Sequence, residues 1–147
     1  MDPIGASDTW EWHGYRTSVV EESGKKVTSV SGGGHWGGGL FISTRDHARV
    51  GLLCARNGAW GDKRILSEDW IKRCETPSKL HKGYGLLFWL NADGTQAPSA
   101  PRSNVFMLGA GSNIVWIDRD HDLVAVVRWI GKDAFDGFAK RVLAALR

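Results

Sequence analysis

The chain is poor in several things, and each shortage narrows what it can be. Only two of its 147 residues are cysteines, Cys54 and Cys74, and they form neither a Cys-x-x-Cys nor any metal-ligand spacing. That argues against a disulfide scaffold and a zinc site, and two free thiols suit a reducing compartment. No apolar run approaches the roughly 20 residues of a membrane-spanning helix. Met1-Asp2-Pro3 is not followed by a basic segment and an apolar one, so no signal peptide is expected and the expected location is cytoplasmic. Neither sign of charge dominates: the net charge is +3, and basic residues come at most in pairs such as Lys25-Lys26. This is the pattern of a solvated surface, so neither nucleic acid nor a membrane is expected as partner.

What is abundant is tryptophan, with eight, and glycine, with 19, in a chain that is 42% apolar. That is enough for one folded domain spanning residues 1–147, near the commonest domain size. Each tryptophan can bury a large area, but its N–H then needs a partner. Asp8-Thr9-Trp10-Glu11-Trp12 reads like mid-domain sequence rather than an N-terminus.

Residues 1–18 read as irregular. Residues 19–30 read as a polar hairpin turning at Ser23-Gly24, too hydrophilic for a central strand. Ser43 followed by Asp46 is a helix-capping pattern, with the carboxylate at the positive end of the helix. Ala48, Leu52 and Ala55 form a stripe along that helix, beside Val50, Leu53 and Cys54, and Asn57-Gly58 ends it. Residues 61–64 are a turn. Ser67 caps a short second helix, which Pro77 stops.

The second half is strand-rich. Residues 84–90 are continuously apolar, which predicts a strand buried on both faces. Residues 91–103, with two prolines and Asp93-Gly94, read as a loop. Short strands at 105–108 and 114–117 flank Gly109-Ala110-Gly111. Asp118-Arg119-Asp120-His121 is a hairpin turn, residues 123–130 form the longest strand, and a last helix starts near Asp133. The fold class is therefore α+β: an antiparallel meander of about four strands, with helices before it and a C-terminal helix packed on it.

One segment stands out, the glycine-rich run from Gly32 that continues through His35-Trp36 into Gly38-Gly39-Leu40-Phe41-Ile42-Ser43-Thr44-Arg45-Asp46-His47-Ala48-Arg49-Val50-Gly51. It resembles the segment that opens a core helix in the serine β-lactamase and penicillin-binding-protein-like hydrolases, a family that includes class C β-lactamases, related esterases and 6-aminohexanoate-dimer hydrolases. Residues 106–127 resemble that family's penultimate hairpin. Asp118 and His121-Asp122-Leu123-Val124 stand in its turn, with Arg119 where proline is usual. The resemblance covers nearly the whole chain and corresponds to the C-terminal part of the family domain. It implies a partial β-lactamase/transpeptidase-like fold.

It also implies chemistry this chain does not carry. The family nucleophile is the serine of a Ser-x-x-Lys at a helix N-terminus, where the lysine helps activate it. The literal match, Ser23-Gly24-Lys25-Lys26, sits in a polar turn with no apolar helix behind it and is rejected. Tyr15-Arg16-Thr17 and Tyr84-Gly85-Leu86 both fail the Tyr-x-Asn pattern of the second motif. The third motif, a Lys-Thr-Gly-like triplet, falls near Met107-Leu108-Gly109, where cation and hydroxyl are both missing. That points away from penicillin recognition more than from hydrolysis.

No catalytic residue and no metal ligand is therefore assigned. Candidate cleft or oxyanion residues are Leu108, Gly109, Ala110 and Gly111, with the Ala110 N–H as donor. The plainer alternative is a glycine hairpin turn. His35 and Trp36 either line a cleft or pack in a loop. His13 and His47 read as structural, His121 as exposed, and Asp118 and Asp120 as turn formers. The resemblance implies an intact parent that is a Ser-acylating esterase, amidase or carboxypeptidase-type hydrolase. It needs no cofactor and acts on a small-molecule ester or amide. This chain alone is expected to be inactive. The other readings are a stand-alone small-ligand binding module, or a structural half that complements a separate N-terminal chain. The uncovered edge of residues 123–130 predicts self-association.

Overall fold

In the computed structural model, residues 1–14, 19–28 and 39–146 are described. A single 3-10 turn, Asp2–Ile4, is followed by β1 (Glu11–Trp12), β2 (Val19–Glu22), β3 (Lys25–Thr28), β4 (Leu40–Phe41) and helix α1 (Thr44–Ala55). Then come β5 (Ala59–Trp60), β6 (Lys63–Arg64) and α2 (Glu68–Cys74). The second half is β7 (Trp89–Leu90), β8 (Val105–Gly109), β9 (Asn113–Asp118), β10 (Leu123–Val127) and α3 (Lys132–Ala145).

The helix starts form where local chemistry supplies the missing acceptors. The Ser43 hydroxyl accepts from Asp46 N at the head of α1, and Ser67 accepts from Trp70 N at the head of α2. At the other end of α1, Asn57 and Gly58 both take left-handed φ, and their N–H groups donate to Cys54 O and Leu53 O. This paired arrangement is the Schellman closure.

The last four strands form one antiparallel sheet in the order β10-β9-β8-β7. Residues alternate between its faces as the pleat requires. Val105, Val115, Ile117, Val124 and Val126 pack with Cys54, Ile71 and Cys74 beneath α1 and α2. Phe106, Ile114, Trp116, Leu123, Ala125 and Val127 pack with Phe135, Ala139 and Phe138 of α3. The sheet is thus covered on both faces. The rings of Phe106 and Trp116, neighbours across β8 and β9, both meet Phe135 edge-on, with centroids 5.7 and 6.1 Å away. The Trp116 indole N–H donates to Asn104 Oδ1 at 2.5 Å, which supplies the partner a buried tryptophan needs.

Three expectations change. Residues 84–90 are not one strand: only Trp89–Leu90 is, bridged by Tyr84. The chain turns back at 85–88, with Gly85 N donating to Phe88 O and Leu86 N to Cys74 O. A side chain on Gly85 would overlap the Cys74 carbonyl, so the run caps the end of α2 and leaves Leu87 80% exposed. The last strand stops at Val127, because Trp129 takes a positive φ of 56°. On α1 the buried apolar residues are Gly51, Leu53 and Cys54, while Leu52 is exposed. A Cβ on Gly51 would sit 2.7 Å from methyls of both Val115 and Val124, so glycine sets how closely α1 approaches the sheet. The irregular N-terminal stretch is docked on the domain, with Ile4 buried and Ser7 bonded to Asp46.

Candidate functional site

The candidate residues gather at one end of the sheet, the tip of the β8–β9 hairpin. Gly109 pairs with Asn113 across the tip, and Asn113 Nδ2 donates to Ala110 O at 2.6 Å. Gly111 and Ser112 both have positive φ, 72° and 56°, which closes the turn. Leu108, Gly109, Ala110 and Gly111 are exposed. Met107, just before the tip, packs against the core beneath α1.

The end of β10 adds a residue that sequence reasoning missed. Trp129 is 77% exposed, takes a left-handed backbone that bulky residues rarely adopt, and lies so close to Gly111 that a Cβ there would overlap its ring. The only sequence signal was a Gly-x-Gly turn two strands away from an otherwise unremarkable tryptophan. Arg128 donates from Nη2 to Ile42 O at 2.9 Å, which ties this end of the sheet to the start of α1. The flank of the glycine-rich run lies here too, for β4 pairs with β1, and His13 N donates to Gly39 O at 2.7 Å. The His13 ring packs against that of Phe41, with centroids 4.3 Å apart and planes tilted by 58°. His35 and Trp36 fall outside the described residues.

Hydrogen-bonding capacity is left over at this end. His47 Nδ1, Arg128 Nε and Asn113 Oδ1 are buried without a partner among the described residues, as is Asn104 Nδ2 at the other end of the sheet. Burial, and then the nearby Arg128 charge, hold the His47 imidazole below its ordinary value, so it is neutral near pH 7. Asp46, one residue earlier, is fully satisfied. It accepts from Ser7 Oγ at 2.6 Å, Ser7 N at 3.2 Å, Ser43 Oγ at 2.8 Å and Arg49 Nη1 at 2.7 Å. The Ser7 hydroxyl, then that of Ser43, brings its carboxyl down to about 2.

The opposite end of the sheet is closed. Asp118 is buried and accepts from Asp120 N, His121 N and His121 Nδ1, the last at 2.8 Å. His121 is exposed as expected, yet tethered. Arg119 donates to both oxygens of Glu75, at 3.0 and 2.7 Å, and to the carbonyls of Cys54 and Ala55.

No acylating nucleophile is assembled among the described residues. No serine hydroxyl there hydrogen-bonds a histidine ring or a lysine; those of Ser7, Ser43, Ser99 and Ser103 donate to aspartates. Ser23 and Lys26 lie in the β2–β3 hairpin, with Ser23 at its turn, not on a helix. Burial, then the neighbouring Glu75 charge, raises the Cys54 thiol to about 11, and burial raises Cys74 as well, so neither offers a thiolate. No described helix is long and apolar enough to cross a membrane.

No family model matches the chain, and no curated protein does. Solved structures do. A Bacillus anthracis protein provisionally named a 6-aminohexanoate-dimer hydrolase superposes on 73% of this chain with a TM-score of 0.53 and 19% identity. A Bacteroides dorei protein provisionally named a β-lactamase superposes on 75% with a TM-score of 0.46 and 18% identity. The chain spans only 29% and 40% of their respective lengths. At this identity the likeness to the first speaks for fold: the chain has a partial β-lactamase-like α+β fold.

Proposed function

We propose that this chain is the C-terminal portion of a serine β-lactamase-like hydrolase domain. Its role there is to supply the antiparallel sheet and one wall of the cleft. The acylating serine and its lysine lie outside these 147 residues, and the chain by itself forms no acyl-enzyme. The Ala110 N–H, at the exposed tip, is the oxyanion donor of the intact enzyme. A backbone donor held by a closed turn costs no reorganisation as the tetrahedral intermediate forms.

The carrying observation is the composition of the hairpin tip: a glycine turn with an exposed tryptophan laid over it and no cation on the hairpin itself, the neighbouring Arg128 being tied to the Ile42 carbonyl. Met107 and Leu108 where a lysine and a threonine would serve an anionic substrate favour an uncharged acyl group. The parent is thus read as an esterase or amidase rather than a carboxypeptidase.

The test is complementation. The chain is co-expressed with a Ser-x-x-Lys-bearing N-terminal half of a β-lactamase-like hydrolase, and hydrolysis of p-nitrophenyl esters is measured. Activity that requires both halves, and that Ala110→Pro lowers about 10²–10³-fold by deleting the donor N–H, is the expected result. Activity indifferent to Ala110→Pro removes the oxyanion assignment. Hydrolysis by this chain alone removes the proposal.

A further inference from the structure

Trp129 combines two costly features. It is the most exposed tryptophan among the described residues, and its backbone stands in the left-handed region, where a Cβ crowds its own chain. The other non-glycine residues with positive φ show what such a position ordinarily takes. Ser23, Asn57, Ser112 and Asp122 are small and polar and sit in turns, and Leu87 belongs to the turn that caps α2. Asparagine or glycine would bend the chain at 129 with less strain, so the turn itself does not call for a tryptophan. What the turn does is place the ring. Arg128, the residue before, is tied to the Ile42 carbonyl at the start of α1, whereas Trp129 lies against the hairpin tip. A Cβ on Gly111 would overlap Cζ3, Cε3 and Cη2 of the indole, so the six-membered half of the ring rests on the bare glycine. Gly111 and Trp129 are fitted to each other, and the fit is made within residues 111–129.

We propose that Trp129 sets the acyl specificity of this site: its ring is a platform next to the Ala110 N–H, and it selects an uncharged ester or amide whose acyl group carries a flat aromatic ring. This rests on the reading of the hairpin tip as a wall of the cleft. An aromatic acyl group can meet the indole in an offset or edge-on arrangement and gains more than its buried area. A saturated ring of the same size gains only the area. A charged group finds no partner on the hairpin, because residues 108–113 carry no charge. Leu108, exposed on the same hairpin, extends the apolar surface. A ring already seated on Gly111 before the substrate arrives loses little freedom on binding, which is the gain that offsets a strained backbone.

The experiment titrates the ¹⁵N-labelled chain with phenylacetone and with cyclohexylacetone, which differ only in the ring and have no leaving group to lose. The indole cross-peak missing from Trp129→Leu identifies Trp129. The expected result is that phenylacetone shifts the Trp129 indole together with the Gly111 amide, and binds about three- to tenfold more tightly than cyclohexylacetone. Trp129→Leu, followed through the Gly111 amide, should abolish that preference, and Trp129→Phe should keep it. The dispersion of the amide spectrum separates loss of preference from loss of fold in each variant. Equal affinity for the two ketones, a preference that survives Trp129→Leu, or a Trp129 indole that phenylacetone leaves unmoved overturns the proposal. The cleft reading fails separately, through Ala110→Pro in the complemented enzyme. Hydrolysis that Ala110→Pro abolishes, with no aromatic preference here, overturns the platform alone. An aromatic preference here, with hydrolysis indifferent to Ala110→Pro, keeps the platform and removes the oxyanion donor.

Discussion

The two ends of the central sheet are built on opposite principles. At the β9–β10 turn nearly every polar group is spoken for: Asp118 has three donors, Arg119 ties α1 to Glu75, and Ser103 donates to Asp120. At the β8–β9 tip, Leu108 and Trp129 are exposed, Trp129 holds a strained backbone, and three buried polar atoms lack partners among the described residues, against one, Asn104 Nδ2, at the other end. Both ends belong to the same strands, so the difference does not come from the sheet. One end holds the fold together, and the other keeps a strained backbone and unspent hydrogen bonds.

That contrast should break under mutation, most strongly at the closed end and in the core beside it. Trp116→Ala empties the centre of the α3 face and strands Asn104, and should cost about 3–5 kcal/mol in urea unfolding. Arg119→Met takes the guanidinium from Glu75 and from the Ala55 carbonyl, and one of its donors from the Cys54 carbonyl; both members of the ion pair are mostly buried, and the expected loss is about 2–4 kcal/mol. If Arg119→Met proves neutral, the closed end is not what holds the helices to the sheet. At the tip the sign should reverse. Trp129→Gly removes an exposed ring and relieves a left-handed backbone, so stability should stay level or rise by up to about 1 kcal/mol. A loss above that range would make Trp129 a structural residue and weaken its place in the cleft.

The start of α1 should add a pH signature. The Asp46 carboxyl is held at about 2, below its unfolded value of 3.8. Its contribution is therefore complete above the unfolded value and is lost as pH falls through the folded one. Asp46→Asn should flatten the acid limb of the stability curve below pH 4. His47 is also lowered, but as a base: the folded state resists its protonation, so stability is full above its ordinary value of 6.5 and declines as pH falls below it. His47→Gln should remove that mildly acidic slope, the smallest effect of the set, measured by thermal melts across pH 5–7.

What could be read from the sequence was local. Ser43 and Ser67 announce their helices because a cap and its N–H lie three residues apart. The apolar, β-branched runs of β8, β9 and β10 are also visible in the chain, and with them the meander and the hairpin tip. What was not legible depends on distant partners. Nothing near Ser7 points to Asp46, 39 residues on, and nothing around Arg119 points to Glu75 or to the end of α1. The apolar run at 84–90 misled because a buried strand and a turn capped by the end of a helix have the same composition. Trp129 went unnoticed for a related reason: its closeness to Gly111 exists only once β10 has folded beside β9.

The central claim is that these residues form a wall and not a catalyst. Intact-mass spectrometry after incubation with a fluorophosphonate, which labels activated serines covalently, tests it most directly. The account predicts the unmodified mass. A stoichiometric adduct, mapped to any serine within residues 1–147, would contradict it.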